Sequence, residues 1–440
     1  MSRQSAEQKQ PEPLDLPEIR EYTHRAHRFP GKFHPPLIAH LLDKHDDHDV
    51  VADPMCGCGT TGVEAAVNGM DAILNDIDPL SALISRGKTN PVKPDKFLKV
   101  RDEILESLGE LPEEGDLSKD EAESIVEENI DDKPYVKPYN LFHWFEPYVA
   151  AGYSELLDTA YSAMADESGE MQDALHLSLA AMVRQISRAD PEPVSGLEVT
   201  KIRKEQLEEG IDFDVRASFT RVSNRLADGY EDLADVDDLG DVQVWEENAK
   251  HLSESISNDE LDPSLIITSP PYCNAIEYSR RHRLEYEWLG LFNDDGVNDP
   301  RDERIESSRD FFGSVTPTQE MLENLDEIPH PDIRNLMADL ESDGHERKAN
   351  LLRKYFLDAY DWISEIREIL PESGIFCLII GPSTSYGRTI DTPNFLRDIA
   401  EKNGFEVIDR HDYLLKNNKM QYPTDGETTD TESLIEFRAV

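Results

Sequence analysis

Val50-Val51-Ala52-Asp53 is a short apolar run that closes on an acid, and Gly57, Gly59 and Gly62 follow before Val63-Glu64-Ala65-Ala66-Val67 begins a helix. This arrangement restricts the fold severely. A buried strand, a glycine loop and a helix form half of a parallel α/β unit. The other half follows at once: Asp71 to Asp78 reads as a second strand and Pro79 to Ile84 as its helix. Glycines tolerate positive φ and let a ligand approach the backbone. A helix N-terminus offers free amides to a carboxylate or phosphate. Open α/β sheets bind ligands beyond the carboxyl ends of their strands. The loop Asp53-Pro54-Met55-Cys56-Gly57-Cys58-Gly59-Thr60-Thr61 therefore reads as a cofactor cradle. Gly57 to Gly62 has only superficially the spacing of a dinucleotide fingerprint, and the Gly-Lys-Ser/Thr of a Walker loop is missing. At the end of the second strand, Asp76 is placed to accept the ribose hydroxyls of an adenosine. Asp78, just before Pro79, suits a helix cap better.

A second apolar run, Leu265-Ile266-Ile267, leads into Thr268-Ser269-Pro270-Pro271-Tyr272. Two prolines stiffen that turn and remove two backbone donors. The carbonyls there remain acceptors, and the tyrosine adds an aromatic face. Such a strand end suits a flat base that carries an exocyclic amino group.

The formal charge of −48, from 92 acidic and 44 basic residues, argues against a nucleic-acid partner on its face. The acids, however, are spread along the whole chain, and lysine is scarce beside them. That pattern fits a surface adapted to molar salt, where charges are screened within about 3 Å. Local basic clusters then carry more information than net charge. Four cysteines, Cys56, Cys58, Cys273 and Cys377, have no zinc-site spacing, so no metal is expected. They fit a reducing cytoplasm. No apolar stretch reaches the 18 residues of a membrane span, and Met1 to Pro13 has no signal-peptide core.

Along the chain, residues 1–20 read as a disordered tail and 21–90 as the first part of the α/β core. Residues 91–235 read as a helical and acidic insertion, with a mobile acidic stretch from Glu110 to Asp132 and a mixed, polar stretch at 190–235. The core resumes at 236–279 with strand Val242-Gln243-Val244-Trp245 and the strand before Ser269. Residues 280–350 are polar and irregular. At 351–440 come a helix from about Arg353 to Leu370, a strand from Gly374 to Gly381, a helix from Asn394 to Lys402 capped by Asn403-Gly404, and strands Phe405–Ile408 and Ser433–Phe437. The expectation is a seven-stranded, mostly parallel, Rossmann-like sheet with helices on both faces and a largely helical insertion.

Asp53-Pro54-x-x-Gly57-x-Gly59-Thr60 together with Ser269-Pro270-Pro271-Tyr272 resembles the amino-group DNA methyltransferases that use S-adenosylmethionine. Met55 stands where that family usually has an aromatic residue. Upstream, His27-Arg28-Phe29-Pro30-Gly31-Lys32-Phe33-His34-Pro35-Pro36 is similar to the segment these enzymes place before the donor loop. The resemblance covers roughly 22–90, 240–290 and 355–440. It implies S-adenosylmethionine as cofactor, held by Lys32, Phe33, Asp53, Pro54, Gly57, Gly59, Thr60 and Asp76. Asn248 or Glu247, after the third strand, is placed to read the donor's adenine or simply to cap the next turn. It also implies double-stranded DNA as partner and a cognate restriction endonuclease alongside.

The amino nitrogen of a base is a poor nucleophile, because its lone pair is delocalised into the ring. Ser269 and the Pro270 carbonyl are expected to accept the two amino hydrogens and localise that pair, by positioning and electrostatics. Pro271 rigidifies the turn and Tyr272 stacks on the flipped base. No Pro-Cys dipeptide is present for a covalent route. Arg28, with Arg25, His27 and Lys32, and Arg280, Arg281 and Arg283 are phosphate-contact candidates; the second group also suits a solvated helix face paired with Glu285 and Glu287. The serine form of the motif favours cytosine N4. Adenine N6, guanine N2 of transfer RNA, and a non-catalytic nucleic-acid-binding subunit are the rival readings, and residues 280–350 with the insertion are expected to recognise the target.

Overall fold

The strands of the computed structural model are β1 (Val50–Asp53), β2 (Asp71–Asn75), β3 (Val242–Trp245), β4 (Leu265–Thr268), β5 (Ile375–Ile380), β6 (Ser383–Ser385), β7 (Arg388–Ile390), β8 (Phe405–Leu414) and β9 (Thr431–Ala439). Residues 16, 21–191, 197–256, 262–273, 278–291, 328, 330–414 and 431–440 are described. Seven strands form one sheet in the order β3-β2-β1-β4-β5-β9-β8, and β6 and β7 form a separate ribbon. β1 pairs in parallel with β2 and β4, β2 with β3, and β4 with β5. The sheet's two antiparallel pairings are those of β9 with β5 and with β8. All seven expected strands are present, and the fold is a Rossmann-like methyltransferase sheet.

The chain leaves β1 for β2 on one side and reaches β4 on the other. Between them lies the crevice where such sheets take ligands. One sheet face buries Leu37, Ile38, Leu41 and Leu42 of helix Pro35–Lys44, and Ala65 and Ala66 of helix Thr60–Val67. The other is covered by helices Pro331–Ser342, Glu346–Ile369 and Thr392–Lys402, with Phe356, Trp362, Phe376 and Phe437 in its core. Helices therefore lie on both faces.

The insertion is more ordered than its composition implies. The stretch expected to be mobile from Glu110 to Asp132 contains helix Lys119–Ile130, started by a reciprocal capping box between Ser118 and Glu121. It buries Ala122 and Val126, one turn apart, and packs on helix Pro147–Met164. The polar stretch at 190–235 contains helices Lys201–Glu209 and Val215–Ala234. In the second, Val215, Phe219, Val222, Leu226, Tyr230 and Leu233 form a buried stripe at helical spacing. The abundant charges on its outer face hide this periodicity in the sequence.

Residues 280–350 also contain regular structure. Helix Arg283–Leu289 buries Leu284, Tyr286 and Trp288 in the same core as the insertion helices and helix Pro79–Thr89. The second strand stops at Asn75, not Asp78, while β8 and β9 run longer than expected. All of 292–327, and the 1–20 tail apart from residue 16, lie outside the described residues. Among the described residues, no helix is long and apolar enough to cross a membrane.

Candidate active site

β1 delivers Asp53 to the bottom of the crevice, where it is fully buried. Its Oδ2 accepts from Thr61 Oγ1 at 2.6 Å, and its Oδ1 accepts from Thr268 Oγ1 at 2.8 Å and from the Met55 amide at 3.3 Å. Burial pushes its pKa up to about 6, against the lowering effect of those hydrogen bonds. Asp53 thus ties the end of β1 to the end of β4, and its carboxylate works within the protein scaffold.

The loop after β1 is held from several sides. Gly57 and Gly59 have φ of +52° and +68°. A Cβ on Gly59 would come within 2.8 Å of Ser85 Oγ, and one on Gly57 within 3.2 Å of the Phe29 ring. Asp76 accepts from the Gly57 amide at 2.8 Å and from the Asp78 amide at 3.0 Å. Burial raises the pKa of both Asp76 and Asp78; each Asp76 oxygen keeps a lone pair for another donor. Asp78 caps helix Pro79–Thr89 by accepting from the Leu80 amide at 2.9 Å. Thr60 opens helix Thr60–Val67, whose N-terminus faces the loop, and the Pro54 carbonyl accepts from Asn75 Nδ2 at 3.0 Å. Cys56 and Cys58 are buried thiols beside Ser85 and Thr60, as small residues of a tight loop should be.

The upstream segment is strapped across this loop. Thr23 donates to the Lys88 carbonyl at 3.0 Å, His24 Nε2 meets Glu64 Oε1 at 2.6 Å, and Lys88 Nζ donates to the Cys58 carbonyl. Burial, and then Lys88, bring the His24 pKa down to about 2. Phe29 touches Gly57 and stacks on His282, with centroids 5.3 Å apart. Lys32 turns back to the His24 carbonyl at 3.2 Å, and Phe33 packs against the sheet face beside Leu37 and Ile38. His27, His282 and Glu285 lie close enough together to offer a divalent ion three donors. Arg184, within electrostatic reach of Glu285, already opposes that carboxylate's charge.

The loop after β4 is built differently. The Pro271 carbonyl accepts from Tyr355 Oη at 2.9 Å and the Cys273 carbonyl from Lys348 Nζ at 3.0 Å. Tyr272 lies against the bare backbone of Gly381, and its hydroxyl donates to Glu432 Oε1 at 2.6 Å. Among the described residues, the Ser269 hydroxyl and the Pro270 carbonyl have no hydrogen-bond partner. Two acceptors in this loop are occupied, and the two expected to meet an amino group are open.

Other expected contacts are placed differently. Asn248 accepts from the Lys250 amide at 3.1 Å and caps the turn Ala249–His251, which is the capping alternative. Arg280 and Arg28 are exposed. Arg281 is buried, and Arg283 donates to the buried Glu287 at 2.6 Å and lies over Tyr139, so this helix face is packed against the insertion instead of solvated. Several residues that organise the site were not singled out. Buried Asn75 bonds the Pro54 carbonyl and both the amide and carbonyl of Glu247, stitching the loops after β1 and β3. A polar residue inside the apolar run of β2 was its available signal. Thr268 and Glu432 act through Asp53 and Tyr272, 215 and 160 residues away.

The positive-φ glycines of the loop after β1 and the spare lone pairs of Asp76 are the features here that could hold a cofactor. No protein-family model matches the chain. The chain is 24% identical over 434 aligned residues to the Type II methyltransferase M.MjaII of Methanocaldococcus jannaschii, covering 82% of this chain and 76% of that one. It is 22% identical over 372 residues to the Type II methyltransferase M.MvaI of Kocuria varians, covering 82% and 77%. Among solved structures, the rRNA methyltransferase aviRa of Streptomyces viridochromogenes is similar over 96% of this chain and 94% of its own, at 11% identity; its TM-score of 0.31 is too low to bear on function. The chain is a methyltransferase of the S-adenosylmethionine-dependent kind, related to the Type II methyltransferases.

Proposed function

We propose that this chain methylates the exocyclic N4 of cytosine in duplex DNA, on a base swung out of the stack. The observation that carries this reading is the pair of acceptors, Ser269 and the Pro270 carbonyl, that have no partner among the described residues, beside the glycine loop that Asp53 ties to β4. Bound S-adenosylmethionine supplies a methyl group on a sulfonium, open to direct displacement. Asp76 accepts the ribose hydroxyls with its spare lone pairs, and the glycine loop lets the backbone lie against the donor. Ser269 and Pro270 accept the two amino hydrogens, which draws the nitrogen towards a tetrahedral geometry with its lone pair facing the methyl. On transfer of the methyl from sulfur to nitrogen, which would leave the neutral thioether, Ser269 and the Pro270 carbonyl would guide one amino proton to solvent. Tyr272, fixed by Glu432, gives the base a face to stack on. Asp53 positions both loops through Thr61 and Thr268.

The two Type II methyltransferase relatives support methyl transfer; duplex DNA as substrate and a cognate restriction endonuclease as partner belong to the proposal. The free cysteines and the lack of a membrane-crossing helix among the described residues fit a cytoplasmic site of action. The acidic surface fits work in molar salt. The test is incubation with labelled methyl donor and DNA in multimolar KCl, followed by mass spectrometry of the nucleosides. N4-methylcytosine is the expected product. N6-methyladenine would move the target to adenine, and label in RNA alone would overturn the DNA reading.

A further inference from the structure

Acids outnumber bases by 92 to 44 in this chain, yet some of its cations have no carboxylate partner among the described residues. Arg221 and Arg225, one turn apart on helix Val215–Ala234, are both of this kind. Arg221 donates to the neutral amide of Gln185 at 2.8 and 3.2 Å and to Ser218 Oγ at 3.1 Å. Arg225 makes one long bond, 3.4 Å, to the Arg25 carbonyl. Among the described residues, neither has a carboxylate oxygen within ion-pair distance.

Both line a cleft of about 530 Å³ together with Arg25, Thr220 and Asn224, and Asp228 is the one acid on its wall. Asn224 is held from beneath by buried Arg101, whose Nη1 donates to Asn224 Oδ1 at 2.9 Å. Arg25 pairs with Glu21 only at the solvent-exposed edge. Burial, and then the like charges of Arg25 and Arg221, depress the pKa of Arg225. An anion with several oxygens relieves that repulsion, and guanidinium forks match phosphate geometry.

The position of the cleft narrows the ligand. Arg25 sits on the strap between His24, bonded to Glu64, and Phe29, against Gly57. Four residues of chain span at most about 14 Å, on the order of four nucleotide steps along a duplex. We propose that Arg25, Arg221 and Arg225 form a phosphate clamp that grips the phosphodiester backbone of the substrate beside the reacting base. The insertion is thereby part of the substrate surface. This inference rests on the nucleic-acid reading above.

The test compares the full chain with the double variant Arg221→Gln/Arg225→Gln. Binding to duplex DNA, single-stranded DNA and RNA of one sequence is measured across a KCl series, with donor binding as a fold control. Each lost duplex phosphate contact changes the slope of log affinity against log salt by about 0.9, so the double variant should differ from wild type by about 1.8. Arg221→Lys/Arg225→Lys, which keeps the charge, should restore most of the difference. If the Gln pair loses donor binding, Arg225→Gln alone carries the test with about half the change. An unchanged slope in a variant chain that still binds donor, beside a wild type that methylates nucleic acid, overturns the clamp alone. A wild type that binds neither DNA nor RNA overturns both the clamp and the functional reading. A slope change seen only with RNA retains the clamp and moves the substrate.

Discussion

Around the loop after β1, each carboxylate at the strand ends is already engaged: Asp53 by Thr61, Thr268 and the Met55 amide, and Asp76 by two backbone amides. Around the loop after β4, the Pro271 and Cys273 carbonyls are engaged as well, but Ser269 and the Pro270 carbonyl have no partner among the described residues. The first loop is a finished cradle, shaped before any ligand arrives. The second is a rigid frame with its reactive edge incomplete. On the proposed function, the donor is met by prebuilt backbone and the amino nucleophile supplies the hydrogens that complete the second loop.

Four substitutions would break or sharpen that contrast. The largest effect is expected at the open edge. Ser269→Ala should lower kcat by roughly 10²- to 10³-fold, on the order of 2.7–4 kcal/mol as for loss of an oriented polar group in a catalytic site. Donor affinity measured by calorimetry should hold; a loss of donor affinity equal to the loss of kcat would merge the two loops into one functional unit.

At the closed side, Asp53 makes stability depend on pH. Burial raises its folded-state pKa to about 6, above the roughly 3.9 of an unfolded aspartate. Its stabilising contribution is therefore complete below about pH 4 and is lost as pH rises through 6. Two units correspond to about 3 kcal/mol. In denaturant titrations at pH 4 and pH 7, the wild-type stability relative to Asp53→Asn should fall by about that amount. A difference that stays flat with pH would mean that Asp53 titrates as a solvated acid.

Asn75→Ala strands the Pro54 carbonyl and the Glu247 amide and carbonyl. It should destabilise the chain by about 2 kcal/mol and weaken donor binding, both readable in a thermal shift with and without donor. The smallest change belongs to Tyr272→Phe, which keeps the ring and removes the bond to Glu432. About 1 kcal/mol, or a several-fold drop in kcat/KM, is expected. A loss as large as that of Ser269→Ala would give the hydroxyl a role beyond aiming the ring.

The sheet was legible because its strands are short apolar runs flanked by glycine, proline or acid, as at Val50–Asp53 and Leu265–Thr268. Helix Val215–Ala234 was not, because a surface dense in charge masks a stripe as regular as Phe219, Val222, Leu226 and Tyr230. Helix Lys119–Ile130 did carry a legible signal, the Ser118-x-x-Glu121 capping box, but the acidic composition outweighed it. At the site, the two loops could be read from their motifs. What joins them could not: Asn75, Thr268 and Glu432 matter through partners 172, 215 and 160 residues away.

The bond between Asp53 and Thr268 also has a temporal side. During synthesis, β1 emerges with β2 close behind it, but β4 appears only after some two hundred further residues have been added. At about 5–20 residues per second, a nascent chain spends on the order of ten to forty seconds with β1 exposed along one edge and Asp53 lacking one of its hydroxyl donors. Throughout that interval the chain holds the glycine loop but not the turn after β4. Methyl transfer must therefore await the ribosome's passage beyond the middle of the message.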